Sequence, residues 1–103
     1  MNLEVLPRAI EEIDSAFVFY ESQVPHLGIQ FLDALAESYV RILANPQAWT
    51  ILPRTKSMFH RYLLRRFPYA LIYSIEKNKI VIEAVMHLSR KPGYWKKRRA
   101  HRG

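Results

Sequence analysis

Apolar positions recur every three or four residues along the first half of the chain, and at alternate positions along much of the second. Ile10, Ile13, Phe17, Tyr20 and Val24 form the first series, with Glu11, Glu12, Asp14 and Glu21 between them. That spacing predicts an amphipathic helix over 8–23, with acids near its N-terminus where the helix dipole favours them. Pro7 suits the first turn, where its missing N–H costs nothing. Pro25 ends the helix and "PHLG" turns the chain. Phe31, Leu32, Leu35, Ala36, Tyr39, Ile42 and Leu43 predict a second helix over 28–44, closed by Asn45–Pro46. So short a connection makes the two helices antiparallel neighbours. "LEVL" at 3–6 reads as a strand before them.

The period then changes. "QAWTILPRTKSM" has no clear repeat and reads as a loop. Strands are expected over 59–66, 69–76 and 79–88, the last two joined at Lys77–Asn78, where Asn tolerates positive φ. In the last strand, alternation sets Ile80, Ile82, Ala84 and Met86 on one face, turned to the helices. Val81, Glu83, Val85 and His87 fall on the other. The expected fold is α+β, ordered β-α-α-β-β-β: a small, mostly antiparallel sheet with an αα-hairpin on one face. A single domain over 1–95 and a basic tail over 96–103 account for the whole chain.

Charge changes this picture more than composition does. Residues 1–50 hold seven acids and two bases, and residues 51–103 hold fourteen bases and two acids, within a net charge of +7. A basic half of this kind predicts a polyanionic partner: nucleic acid, an anionic membrane or an acidic protein segment. No apolar run reaches the ~18 residues that span a bilayer, and the acidic N-terminus lacks the apolar core of a signal peptide. These features point to a cytoplasmic protein. The absence of cysteine excludes disulfides and thiolate chemistry. The four histidines show no metal-ligand spacing and the basic half is nearly free of carboxylates, so no cofactor or metal is expected.

Candidate chemistry gathers at "VMHLSRKPGYWKKRRAHRG", residues 85–103. His87 can move protons near neutral pH. Arg90 can hold phosphate with paired hydrogen bonds. Tyr94 can exchange a hydrogen bond or stack on a base. The plainer roles are a strand-end histidine and a tail packed down by Tyr94 and Trp95, the reading preferred for the indole. Arg61 and Arg65 alternate on one face of their strand and are expected in the same groove as His87. With Arg54 and Lys56 from the loop, and Lys96, Lys97 and Arg98 from the tail, they form the expected nucleic-acid-binding set.

"LPRAIEEIDSAFVFYESQ", "LGIQFLDALAESYVRILANP" and "RRFPYALIYSIEKNKIVIEAVMHLSRKPGYWKKR" together resemble the RelE/ParE superfamily of type II toxin–antitoxin toxins. The resemblance implies the fold read above and a cognate acidic antitoxin, partly disordered, that folds along the toxin. It implies contact with operator DNA only through the antitoxin complex. RelE-like members cut mRNA in the ribosomal A site, and Arg90, Tyr94 and His87 match positions such members use. Where RelE-like enzymes often carry an arginine, this chain has Tyr69 or Ala70. ParE-like members instead poison DNA gyrase without that active set. Expected functions are thus a ribosome-dependent endoribonuclease with His87, Arg90 and Tyr94 as catalytic residues, a non-catalytic gyrase inhibitor, or a degenerate member that keeps only antitoxin binding.

Overall fold

The computed structural model describes the chain outside residues 53–57, 92, 97 and 99–103. The expectations for Arg54, Lys56, Lys97 and the end of the tail lie outside the described residues. Strand β1 (Asn2–Val5) leads into α1 (Pro7–Gln23) and α2 (Leu27–Ala44), followed by β2 (Thr50–Leu52), β3 (Phe59–Leu63), β4 (Tyr69–Glu76) and β5 (Lys79–His87). The strands form one sheet in the order β1-β5-β4-β3-β2. Among the described strands only the β1–β5 pairing is parallel. The helical hairpin covers one face of this α+β sheet.

Three expectations are corrected. The stretch read wholly as a loop contains β2, a short edge strand whose Thr50, Ile51 and Leu52 pair with Arg61, His60 and Phe59. The strand expected to reach residue 66 stops at Leu63, because Arg66 takes a positive φ of 68° and the chain turns back through Pro68. In the β4–β5 hairpin it is Lys77, at φ 50°, and not Asn78 that adopts the left-handed conformation.

The helices bury slightly different stripes from those expected. On α1 the deepest residues are Ala9 and Ala16, flanked by Ile13 and Tyr20, while Ile10 and Val24 are exposed. Two alanines on the inner stripe let the helix axis lie close to the sheet, which larger side chains would prevent. On α2 the buried residues are Gly28, Phe31, Leu35, Ser38 and Ile42, and Leu32 is exposed. The core between hairpin and sheet is closed by Tyr62, Leu71, Tyr73, Ile80, Ile82 and Val85. Two buried polar groups are satisfied there by the β2 approach: Tyr73 Oη donates to Pro46 O at 2.6 Å, and the His60 ring bonds Trp49 O at 3.0 Å.

A β-bulge decides the layout of β5. Tyr73 pairs with Ile82 but Ile72 pairs with Ala84, so Glu83 is an extra residue inserted in β5 between those two pairs. An inserted residue shifts the alternation of everything after it. Ile80 and Ile82 face the helices as expected, but so do Val85 and His87; Ala84 and Met86 pack on the opposite face with Phe59, Ile72 and Trp95.

Candidate functional site

Strand β1 is shorter than β5 and leaves a length of bare strand edge. Strand β1 pairs with residues Lys79–Ile82, and its ladder closes where Leu6 N–H donates to Ile82 O at 3.1 Å. Beyond that point no strand among the described residues lies along this edge of β5, the other edge being paired with β4. Unpaired backbone groups near the core are costly, and side chains take the place of the missing strand. Glu12 Oε1 accepts the Val85 N–H at 3.0 Å, and Arg98 Nη1 donates to Glu83 O at 3.2 Å.

Those two side chains also bind each other. Arg98 Nη1 lies 3.1 Å from Glu12 Oε1 and Nη2 lies 3.0 Å from Oε2, a two-pronged pair. Their side chains are only 14% and 15% exposed. Such a pair overcomes its desolvation only when the remaining hydrogen-bonding positions are filled. Here Val85 N–H and the Tyr94 hydroxyl both donate to the same carboxylate. Burial, the hydrogen bond to Glu12 and the Glu12 charge all push the Tyr94 phenol well above its usual range. Burial works against the Arg98 charge, but the hydrogen bond and charge of Glu12 outweigh it and raise Arg98 further. One carboxylate on α1 thus fastens the chain end to the uncovered edge of β5.

The three residues expected to be catalytic meet around this fastening in different ways. The Arg90 guanidinium lies 3.8 Å above the Tyr94 ring, with that of Arg98 5.1 Å away. Stacking of this kind contributes about 0.5–2 kcal/mol. The His87 ring meets Tyr69 edge-on at 5.0 Å. Its Nδ1 accepts the Ser89 N–H at 3.0 Å and lies 2.8 Å from the Ser89 hydroxyl. His87, Arg90 and Arg98 line one cleft of about 410 Å³ between α1 and the end of β5, with Tyr69 beside His87 and Arg8, Glu11, Ser15 and Phe19 on the α1 side.

The expected basic surface is not gathered there. Arg61 pairs with Ile72 on the face away from the helices, whereas the bulge turns His87 toward them, so the two do not share a groove. The Arg61 Nε is buried without a hydrogen-bond partner among the described residues. Arg65 lies beside α2, 3.7 Å from Glu37. Lys96 is exposed in the turn after Gly93 and its N–H donates to Gly93 O at 3.0 Å. Trp95 is an anchor: 3% exposed, it meets Phe59 edge-on at 4.7 Å on the far face of the sheet. Among the described residues no group of three acids or histidines could hold a metal ion.

Glu12 is the residue that sequence reasoning passed over, counted only as one of the acids between the apolar positions of α1. The signal was present. Glu12 stands three residues after Ala9 and four before Ala16, on the side of the helix that meets the sheet. An acid on a stripe of small buried residues needs a cation or several donors facing it.

The architecture has a close counterpart among solved structures. A chain of the "Chromosomal ParDE TA system from P. aeruginosa" superposes with a TM-score of 0.74, at 14% identity, covering 86% of this chain and 97% of that one. At that identity the likeness is one of fold. Comparison with curated proteins gives no match. The family is defined by sequence: the model for the ParE toxin of the type II toxin–antitoxin system, parDE, matches residues 3–92. The chain belongs to the ParE toxin family, and membership implies an antitoxin partner. No helix among the described residues is long and apolar enough to cross a membrane.

Proposed function

We propose that this chain is the toxin of a type II toxin–antitoxin pair and acts in the cytoplasm by binding DNA gyrase rather than by cutting mRNA. The observation that carries this reading is the Tyr94–Glu12 hydrogen bond, closed by Arg98. An endoribonuclease built on His87, Arg90 and Tyr94 needs a phenol free to meet the substrate. Here the hydroxyl proton is committed to a carboxylate held by an ion pair, and the Arg90 guanidinium lies flat on the phenol ring. A phenol with a raised pKa is a poorer base at neutral pH. Neither Tyr69 nor Ala70, the two candidates for the position where RelE-like relatives often have arginine, supplies a cation, and Tyr69 packs edge-on against Phe31 at 5.2 Å and Tyr20 at 6.3 Å. Membership of the ParE family favours the same side.

Two assays run side by side test this. Purified chain is added to gyrase supercoiling reactions, and separately to a reconstituted translation reaction read by primer extension on a defined mRNA. The expected result is loss of supercoiling with trapped gyrase–DNA complexes and intact mRNA. New mRNA ends that require ribosomes, and that vanish in His87→Ala and Arg90→Ala, would overturn the proposal in favour of the endoribonuclease. Neither effect, with normal growth on overexpression, would identify a degenerate member that retains only antitoxin binding.

A further inference from the structure

Helix α2 is apolar on two sides, and the fold of one chain uses only one of them. We propose that its outer side is a self-association surface, on which two copies of this chain pair α2 against α2, antiparallel, about a two-fold axis at Ala36. This inference does not depend on the choice between gyrase and mRNA.

The inner stripe of α2 is Gly28, Phe31, Leu35, Ser38 and Ile42, all buried. A second stripe, Ile29, Leu32, Ala36 and Val40, also runs at spacings of three and four. At 3.6 residues per turn these four positions fall within about 80° of arc, centred about 120° from the inner stripe. All four are exposed, Ile29 by 46%, Leu32 by 37% and Val40 by 68%. Single apolar residues on a surface are ordinary, but a contiguous row along one helix face marks a contact surface. Ile29 and Val40 are also β-branched, which lowers helix propensity. Exposure to water gives no reason for them at these positions, whereas packing does.

Charge selects the occupant. The outer side of α2 carries Asp33, Glu37 and Arg41, and Arg65 approaches Glu37 at 3.7 Å. Two acids thus meet two bases, in a protein whose net charge is +7. A polyanion has no reason to choose this locally neutral surface over the basic ones. A second copy does, because the pattern complements itself. In a two-fold pair, residue i meets residue j and residue j meets i. An antiparallel pairing centred on Ala36 sets Leu32 beside Val40 of the second copy, and Ile29 beside its Leu43. The small side chain at the centre lets the two axes come close. Asp33 is exposed and takes part in no ion pair among the described residues. It stands on the same flank of the stripe as Arg41, on the other side of Ala36. The two-fold therefore brings each Asp33 within reach of Arg41 of the second copy. Arg41 meets Glu37 through Nε at 3.2 Å, and its side chain is 41% exposed, open to a second carboxylate.

One helix per copy makes a small seam beside the roughly 1,200–2,000 Å² of a standard interface. Association is accordingly expected at about 10–100 μM rather than at nanomolar concentration.

The test is sedimentation equilibrium of the full chain at concentrations bracketing that range. The proposal expects a monomer–dimer equilibrium, weakened about tenfold or more by Val40→Glu and severalfold by Asp33→Asn. Both positions are exposed, so each variant should melt near the parent. Because the chain has no cysteine, single cysteines report the geometry. Ala36→Cys should give a disulfide-linked dimer on mild oxidation. Leu32→Cys mixed with Val40→Cys should join to each other faster than either joins to itself, as antiparallel pairing requires. Ser22→Cys, exposed on α1 away from the seam, should stay monomeric. A parent chain that is monomeric throughout, association untouched by Val40→Glu, or cross-linking as fast at Ser22 as at Ala36 would each overturn the proposal.

Discussion

Gly28 on α2 and Glu21 on α1 are in direct contact: the Gly28 N–H donates to Glu21 Oε1 at 2.8 Å. The same carboxylate also accepts from the backbone of His26 and Ile29, both at 3.3 Å. An acid from the end of one helix thus supplies the acceptors that the first turn of the next helix lacks. There is no room to spare. A Cβ at Gly28 would lie 2.6 Å from Glu21 Cγ, 2.8 Å from the Phe17 ring and 2.9 Å from Phe17 O.

Gly28→Ala is therefore expected to destabilise the chain by about 1–3 kcal/mol, the range for overpacking a tight contact. Backbone O at Phe17 cannot swing aside as a side chain can, so the hairpin itself must open. Urea denaturation should show a lower midpoint with an unchanged slope. A midpoint equal to that of the parent would mean that the two helices have slack not visible in their contacts.

Glu12→Gln keeps the size of the side chain and removes its charge. Arg98 then keeps its cation with only amide and carbonyl acceptors, in a site where both partners are mostly buried. Breaking such a pair costs about 3 kcal/mol or more when fully buried, so about 2 kcal/mol is expected at this partly exposed site. For a domain of this size, melting falls about 4–8 °C per kcal/mol. Differential scanning calorimetry of the variant beside the parent checks this. If the variant melts with the parent, the fastening at β5 is only a surface ion pair.

Alkaline stability should follow the phenols. Burial raises both Tyr94 and Tyr73 above the ordinary value of 10.0, and Glu12 adds to the shift at Tyr94. A raised folded-state pKa means that the native chain holds its proton more firmly than the unfolded chain. The contribution is complete below about pH 10 and is lost as pH climbs from there toward the folded-state values. Denaturation midpoints should therefore drop from about pH 10 upward. Tyr94→Phe should make that decline shallower. An equally steep decline in the variant would assign the alkaline sensitivity to groups other than Tyr94.

Trp95→Ala removes a 3%-exposed ring that closes the far side of the sheet over Phe59, Ile72, Ala84 and Met86. Truncating a large buried aromatic residue typically costs about 3–5 kcal/mol. Since Trp95 adjoins Tyr94, the variant should also loosen the Glu12 contacts, and amide exchange at Val85 should speed up. Trp95→Phe, which refills most of the space, should restore slow exchange at Val85.

Much of the architecture could be read from the chain because its two halves carry different periods. Helical spacing from Ile13 to Tyr20 and from Phe31 to Ile42 placed the hairpin, and apolar runs on either side of Lys77–Asn78 placed β4 and β5. What could not be read depends on contacts between distant residues. Nothing local to "LEVL" indicates that it runs parallel to β5, and β2 is too short and too exposed to carry a period of its own. The cluster of His87, Arg90 and Tyr94 was legible as a cluster because its members are close in sequence. Its counterpart Glu12 lies 82 positions from Tyr94, and its role appears only when α1 is laid against β5. Arg61 was placed on the right side of its own strand, but the groove expected for it disappeared when His87 turned the other way.

That turn comes from one residue. Alternation along a strand is a two-phase clock, and Glu83 advances it by one tick between Ile82 and Ala84. Deleting Glu83 would restore an unbroken alternation from Ile82 to Ala84 and leave each following side chain on the surface it now occupies. A regular strand that kept all nine residues would instead carry His87 to the far side with Arg61 and drive Met86 toward the helices. For anyone transferring features between members of this fold, alignment by residue type alone is therefore unsafe across this point. Leaving out the single gap that a relative without the bulge requires changes the face of the protein on which the histidine is drawn.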